Sequence, residues 1–278
     1  MTKPLLILPP APARWPGVEK LLTHEKPAWL ADLKARLAQG LPGARDACAI
    51  IPDGGNALSF AMARRRGDVA VLSHVFTHPD RRRQGYARAL VRALVDWFDM
   101  TGGKWLYLSC EAPLRAFYES FGFGVLHEAR SDAEDSILLR TATNVALDPL
   151  AAHDGTPELR DVIWSDWPQL VALLQHRPGP DARAPLIDTA MAAAHVIFDL
   201  LAGQAKGSCK LIGEARGGQL MAFASIATDQ VGTKTYALIT PASAAQLREP
   251  ALRAAQSIGY TTLEFPMDLL AAAAPMSE

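Results

Sequence analysis

Between Gly40 and Gly85 the chain leaves helical spacing for three short apolar runs separated by two tight glycine turns. The runs are Asp46–Ile51, Ala57–Arg65 and Val69–Phe76, and the turns are Asp53-Gly54-Gly55 and Arg66-Gly67-Asp68. Short β-type runs joined this way predict an antiparallel meander of three strands. Helical spacing flanks it on both sides. Leu21, Leu22, Leu30, Leu33 and Leu37 recur on one face of Val18–Gln39, which Gly40 stops. Beyond the basic loop Thr77–Gly85, a second helix carries Leu90, Val91, Leu94, Val95 and Phe98 on one face and ends at Thr101-Gly102-Gly103.

A strand over Trp105–Cys110, a short helix over Pro113–Phe121 closed by Gly122, and strands over Phe123–His127 and Ser136–Leu139 complete the first half. The order implies an α/β (α+β) domain over residues 1–145, with a mixed, mostly antiparallel sheet flanked by helices. Thr143–Pro157 is a polar, alanine-rich connector with Asp148-Pro149 and Asp154-Gly155 turns, and it reads as a domain boundary.

Residues 156–278 then repeat the plan. Leu159–Trp164 reads as a strand, and Trp167–Gln175 and Pro185–Leu201 as helices. Strands follow over Cys209–Ala215, Leu220–Thr228 and Thr235–Ile239. After Thr240-Pro241 come a helix to Ser257 and a strand over Tyr260–Phe265. Thr240-Pro241 takes the place of Thr77-His78-Pro79, so the expectation is two tandem copies matched in element order.

A formal net charge of -1 on 278 residues gives no reason to expect nucleic acid as a partner. No run approaches the ~20 apolar residues of a membrane span, and the apolar start is closed by Pro9-Pro10. Cys48, Cys110 and Cys209 are too few and too scattered for a disulfide framework or a zinc site. The expectation is a cytoplasmic protein without a metal, for which a homodimer is an admissible assembly. The arginines cluster locally, at Arg64–Arg66 and Arg81–Arg83, which suits a small phosphate-bearing ligand.

The loop Thr77 to Ala87 lies between a strand and a helix. A helix start exposes unpaired N–H groups at the positive end of its dipole and favours phosphate. Gly85 lets backbone approach a ligand closely, and Ala87 keeps the first turn small. Neither a Gly-x-x-x-x-Gly-Lys-Ser/Thr nor a Gly-x-Gly-x-x-Gly pattern is present.

Arg82-Arg83-Gln84-Gly85-Tyr86-Ala87 resembles the Arg/Gln-x-x-Gly-x-Gly/Ala signature of the GNAT superfamily of N-acetyltransferases. A second segment, Ala112 to Phe123, is similar to that family's later motif, a helix ending Tyr-x-x-x-Gly-Phe. The resemblance covers residues 17 to 142. It implies acetyl-CoA as co-substrate, with the pyrophosphate on the amides of Arg82, Arg83, Gln84, Gly85, Tyr86, Ala87 and Arg88. The pantetheine arm would pair with the backbone of Val75, Phe76 and Thr77 and pass Leu114 and Phe117. Tyr118 falls on the family's general-acid tyrosine. Glu111 stands where the family often has asparagine, and Ala70 where it often has a glutamate base.

The reaction implied is attack of a neutral amine on a thioester. An amine of pKa ~10.4 is neutral in only about 1 part in 2500 at pH 7, a penalty of roughly 4–5 kcal/mol, so a base or water relay is useful. His74, expected to share the side-chain parity of Ala70 in a strand, is the candidate base. Tyr118 is expected to hydrogen-bond the leaving thiolate, and a backbone N–H near Phe76 to hold the oxyanion. The acceptor expected is a small-molecule primary amine. A non-catalytic acyl-CoA-binding or regulatory protein, and an enzyme acetylating protein lysines or N-termini, are the alternatives. In the second half Thr240–Gln246 lacks both arginine and glycine, so that copy is expected to be degenerate and truncated, structural or a wall of the acceptor pocket.

Overall fold

The computed structural model describes residues 3–128, 135–147, 149, 155–175, 190–229, 232–238, 249–250, 252–253 and 256. Two compact units divide between Leu147 and Asp148, within the polar connector.

The glycine turns fold the first unit as a meander. Strands β2 (Ala47–Asp53), β3 (Asn56–Arg66) and β4 (Val69–Thr77) pair antiparallel around Gly54 and Gly67, both at positive φ. A strand not anticipated from the sequence, β1 (Leu5–Ile7), adds to β2 ahead of Pro9-Pro10. The meander continues through helix α3 (Tyr86–Met100), β5 (Trp105–Cys110), helix α4 (Arg115–Glu119), β6 (Gly124–His127) and β7 (Ser136–Thr141). The sheet order is β1-β2-β3-β4-β5-β7-β6, and only β4–β5 is parallel, because α3 carries the chain across between them.

The stretch Val18–Gln39 is not one helix. Helix α1 (Trp15–Leu21) stops at Leu22, Pro27 starts helix α2 (Pro27–Lys34), and a π-helical turn follows over Ala35–Gln39. Both pieces keep the same leucine spacing, so periodicity alone does not expose the break. Proline is well placed at a helix start and poorly inside one.

Strand alternation separates two cores. Ala47, Ala49 and Ile51 of β2 face α3 with Leu90, Leu94 and Phe98, while Cys48 and Ile50 face α1 and α2 with Val18, Leu33 and Leu37. Each fully buried leucine, isoleucine, valine or phenylalanine among them contributes about 1.5–3 kcal/mol. On the α2 face the core also holds charge. Asp32 accepts from Arg36 Nε at 2.9 Å and Arg64 Nη2 at 2.8 Å, and Arg36 Nη1 reaches Asp46 at 3.0 Å. Removing one member would strand a buried partner.

The second unit has an antiparallel sheet in the order β8-β9-β10-β11, formed by β8 (Glu158–Asp161), β9 (Cys209–Arg216), β10 (Gln219–Asp229) and β11 (Gly232–Leu238). Helices α5 (Trp167–Gln175) and α6 (Ala190–Ala205) lie between β8 and β9 in sequence, packing on β10 and β9 respectively. The strand expected over Leu159–Trp164 ends at Asp161. Trp164–Asp166 instead makes a 3-10 turn, tied by Asp166 accepting from the Ile163 N–H at 2.9 Å. Residues 185–189, Ile239, Thr240–Gln246 and the strand expected over Tyr260–Phe265 lie outside the described residues, as does most of the helix expected to end at Ser257. No described helix is long and apolar enough to cross a membrane.

Candidate active site

Strand β4 is kinked where its chemistry begins. Ser73 pairs with Met62 and Phe76 with Phe60, so His74 and Val75 together oppose the single residue Ala61. His74 takes a left-handed backbone, φ 53°, at this bulge. The bulge inverts side-chain parity. Ala70 and Leu72 belong to the core under α3, whereas His74 meets Glu25, Trp29 and Arg64 on the α1–α2 side. The expected shared parity of His74 with Ala70 therefore does not hold, because the extra residue resets the alternation.

Strands β4 and β5 part ahead of the bulge. They pair only over Val69–Val71 and Trp105–Tyr107, yet β4 runs on to Thr77 and β5 to Cys110. A wedge opens between them, facing the β4 backbone from Leu72 to Thr77. Ser59 pins the far end of β4, its hydroxyl lying 2.9 Å from the Phe76 carbonyl and 2.7 Å from Thr77 Oγ1.

At the head of α3, Gly85 is the N-cap in the left-handed region (φ 79°), and no side chain caps the helix. Its first N–H groups are thus open to a ligand. Arg83 also has positive φ, 60°. Alternating backbone of this kind turns successive N–H groups inward into an anion-binding concavity. Arg81, Arg82, Arg83 and Gln84 are exposed. Arg82 Nε donates to the Thr77 carbonyl at 3.3 Å, with its guanidinium 5.8 Å from the Phe76 ring. Tyr86 and Val75 pack against the α3 core, and so does Phe117 of α4. Arg88 lies 5.6 Å from the Phe117 ring and donates to Ser120 Oγ at 3.1 Å. Leu114 is exposed beside them in sequence, on the 3-10 turn that leads into α4. Val75, Tyr86 and Phe117 thus share one core, with Arg82 reaching Phe76 and Arg88 reaching Phe117, while His74 lies on the other side of the sheet.

Tyr118 is buried at 7% exposure, and burial, with Cys110 and Asp135 nearby, pushes its phenol up to about 12. Such a phenol stays protonated and keeps its O–H available as a donor. Full proton transfer to a thiolate of pKa ~8.5 would be uphill by about 5 kcal/mol. Cys110 is buried and its thiol is raised to about 11, mainly by desolvation, so it is no ready nucleophile.

His74 is buried between charges. Arg64 Nη2 lies 2.9 Å from its Nε2 and Glu25 Oε1 lies 2.8 Å from its Nδ1. An arginine only donates, so Nε2 accepts and the proton sits on Nδ1, which donates to Glu25. The ring is therefore neutral, in keeping with a pKa that burial holds below the usual histidine value. Its lone pair is spent on Arg64, which leaves none for a substrate proton. Glu25, between α1 and α2, is held below the usual carboxylate range chiefly by the hydrogen bond from His74. His24 stacks on Phe76, with ring centroids 4.1 Å apart.

Sequence reasoning missed His24, Glu25 and Asp135. The first two sit in the break between α1 and α2 that periodicity concealed. Asp135, just before β7, has its carboxyl raised by burial and then by Glu111, against a lowering hydrogen bond with Ser109. Glu111 ends the 3-10 turn's approach from β5, at the place where the sequence departs from asparagine.

The model of the Acetyltransferase (GNAT) family matches residues 15–123. No curated protein matches the chain. Among solved structures, the ribosomal-protein-S18-alanine N-acetyltransferase from Escherichia coli is 19% identical, covering 51% of this chain and 99% of that one, with a TM-score of 0.38. A GNAT family N-acetyltransferase from Escherichia coli, solved in complex with CoA, is 18% identical over 51% of this chain and 82% of that one, with a TM-score of 0.40. An acyl-CoA N-acyltransferase from Pseudomonas aeruginosa is 18% identical over 50% of this chain and all of its own, with a TM-score of 0.38. The match to the Acetyltransferase (GNAT) family thus lies in residues 15–123, less than half of the chain, and the enzyme class it supports is an acyltransferase.

Proposed function

We propose that the enzyme moves an acetyl group from acetyl-CoA to a primary amine of a small molecule, by direct attack on the thioester in the wedge between β4 and β5. The observation that carries this reading is the parting of the strands after Val71 and Tyr107, beside an uncapped α3 whose N-cap is Gly85. The open β4 backbone at Val75, Phe76 and Thr77 suits the amides of a pantetheine arm. Arg82, Arg83, Gln84, Gly85, Tyr86, Ala87 and Arg88 suit a pyrophosphate. Leu114 and Phe117 offer apolar surface on α4.

Tyr118 then serves as a fixed hydrogen-bond donor to the departing sulfur, since its raised pKa opposes full proton transfer. His74 acts through Glu25, as a neutral donor that holds the carboxylate ionised and in place. Glu25 would pair with an incoming ammonium. Asp135, whose carboxyl is raised rather than lowered, is the better matched of the two to take the amine's proton.

We infer also that residues 156–278 are a degenerate copy of the first half of this fold. The order β8-α5-α6-β9-β10-β11, with sheet order β8-β9-β10-β11, parallels β1-α1-α2-β2-β3-β4. Thr240–Gln246, aligned with the phosphate loop, lacks arginine and glycine, so we assign that copy no CoA site.

Calorimetric titration with acetyl-CoA and a thiol-release assay over small amines, on wild type and Tyr118→Phe, test the reading. The expected result is unchanged acetyl-CoA affinity and a turnover lower by roughly 10²-fold, the scale of losing one transition-state donor. Binding without thiol release from any amine would favour a non-catalytic acyl-CoA-binding protein, and absence of binding would sink both.

A further inference from the structure

A cavity of about 590 Å³ opens at the other end of α3, among Leu8 and Pro10 after β1, Leu41 and Pro42 before β2, and Trp97 and Thr101. Its volume lies within the ~300–1,000 Å³ of small-molecule sites. Helix α3 has 15 residues, so about 22 Å separates this end from the Gly85 end. The cavity is therefore distinct from the wedge, and its chemistry is independent of the proposed reaction.

Two arginines, Arg45 and Arg65, line it, and Arg65 differs from the other buried arginines. Arg36 and Arg64 share Asp32, and Arg36 also reaches Asp46. Arg65, only 2% exposed, meets neutral acceptors alone. Its Nε donates to the Gly67 carbonyl at 2.8 Å, Nη2 to the Thr101 carbonyl at 3.1 Å, and Nη1 to the Thr101 hydroxyl. Those bonds take three of its five N–H groups. Among the described residues no carboxylate forms an ion pair with it. Asp68 acts on it only from a distance and is itself bound by Lys104 at 2.8 Å.

The guanidinium packs 5.8 Å from the Trp97 ring centroid and 5.4 Å from that of Phe98. Arg45 lies exposed at the rim, and its side chain has no described partner. The one acidic lining residue, Asp46, is already closed. One oxygen accepts from Arg36 Nη1 at 3.0 Å and the other from the Arg65 backbone N–H at 2.9 Å. A buried cation without a counter-ion is costly, and an anion that enters the cavity removes that cost.

We propose that this cavity binds a small aromatic monocarboxylate, its carboxylate held between Arg65 and Arg45 and its ring between Trp97 and the proline and leucine walls. A planar guanidinium fork matches a carboxylate. With Asp46 neutralised by Arg36, the two arginines favour an anionic ligand, and apolar walls favour a body without further charge.

Benzoate is the probe, with benzamide as its uncharged counterpart, in calorimetric titration and thermal melting of the full chain. Wild type, Arg45→Ala and Arg65→Gln are compared. Benzoate should bind and raise Tm, and benzamide should do neither. Arg45→Ala should weaken benzoate roughly tenfold, and Arg65→Gln should abolish the response. Arg45 is exposed, so its variant keeps the test open even where Arg65→Gln does not fold. Equal responses to benzoate and benzamide, no benzoate binding, or benzoate binding that Arg45→Ala leaves unchanged would each overturn the proposal.

Discussion

His74 titrates inside a ring of charges: Glu25 on its Nδ1, Arg64 on its Nε2 and Asp32 behind Arg64. Burial, the largest influence, lowers its pKa and Arg64 lowers it further, while Glu25 and Asp32 act the other way; the net direction is down. The folded state therefore keeps the ring neutral where the unfolded chain, with an ordinary histidine near 6.5, has begun to bind a proton. Below about pH 6.5 the unfolded state binds more protons, so stability is fully present above that pH and falls as pH drops toward the depressed folded value. Urea unfolding at pH 7, 6 and 5 should show this loss, approaching at most about 1.4 kcal/mol per pH unit for one proton. His74→Gln should flatten the slope across this window, and identical slopes in the two proteins would contradict the burial of a neutral ring. Nothing local in Val69–Phe76 announces this environment. Alternation gives the wrong face because a bulge intervenes, and Glu25 lies 49 residues away in sequence. Tyr118 is more legible, since a tyrosine in Tyr-x-x-x-Gly-Phe fixes its own place on a short helix.

At the scale of elements, legibility follows length and punctuation. Strands β2 to β5 and helix α3 are long, strongly patterned and bounded by glycines, and their predicted limits differ from the observed ones by a few residues at most. The three-residue β1 has no room for a pattern, and its Leu5 and Leu6 are partly exposed. The phosphate loop is legible because its constraint is local. Gly85 sits at φ 79°, where a side chain is strained, and it caps α3 without a side-chain bond. Gly85→Glu should therefore cost about 1 kcal/mol or more in stability. It should also abolish acetyl-CoA binding, because a carboxylate would project where phosphate is expected. Circular dichroism melts beside calorimetry separate the two effects. A folded variant that binds acetyl-CoA as the wild type does would remove the loop from the site.

Over the whole molecule, chemistry and chain length are unequally shared. The seven-stranded sheet and every residue assigned to acetyl-CoA lie within Met1–Leu147. The connector has a structural part there, since the Trp105 indole N–H donates to the Ala146 carbonyl at 2.8 Å and Ala142 N–H bonds Lys104. A cut before residue 146 would remove the acceptor of a buried indole, whereas a cut after Leu147 leaves it. The fragment 1–147 should thus fold cooperatively and bind acetyl-CoA within about threefold of the full chain, a difference below about 1 kcal/mol. A fragment ending at residue 140 should melt lower, because it also loses the end of β7. If 1–147 folds yet binds more than about tenfold more weakly, over about 1.4 kcal/mol, the second unit contributes to the cofactor site. If binding is retained but amine acetylation is lost, the second unit serves the acceptor, the part that a wall of the acceptor pocket would play.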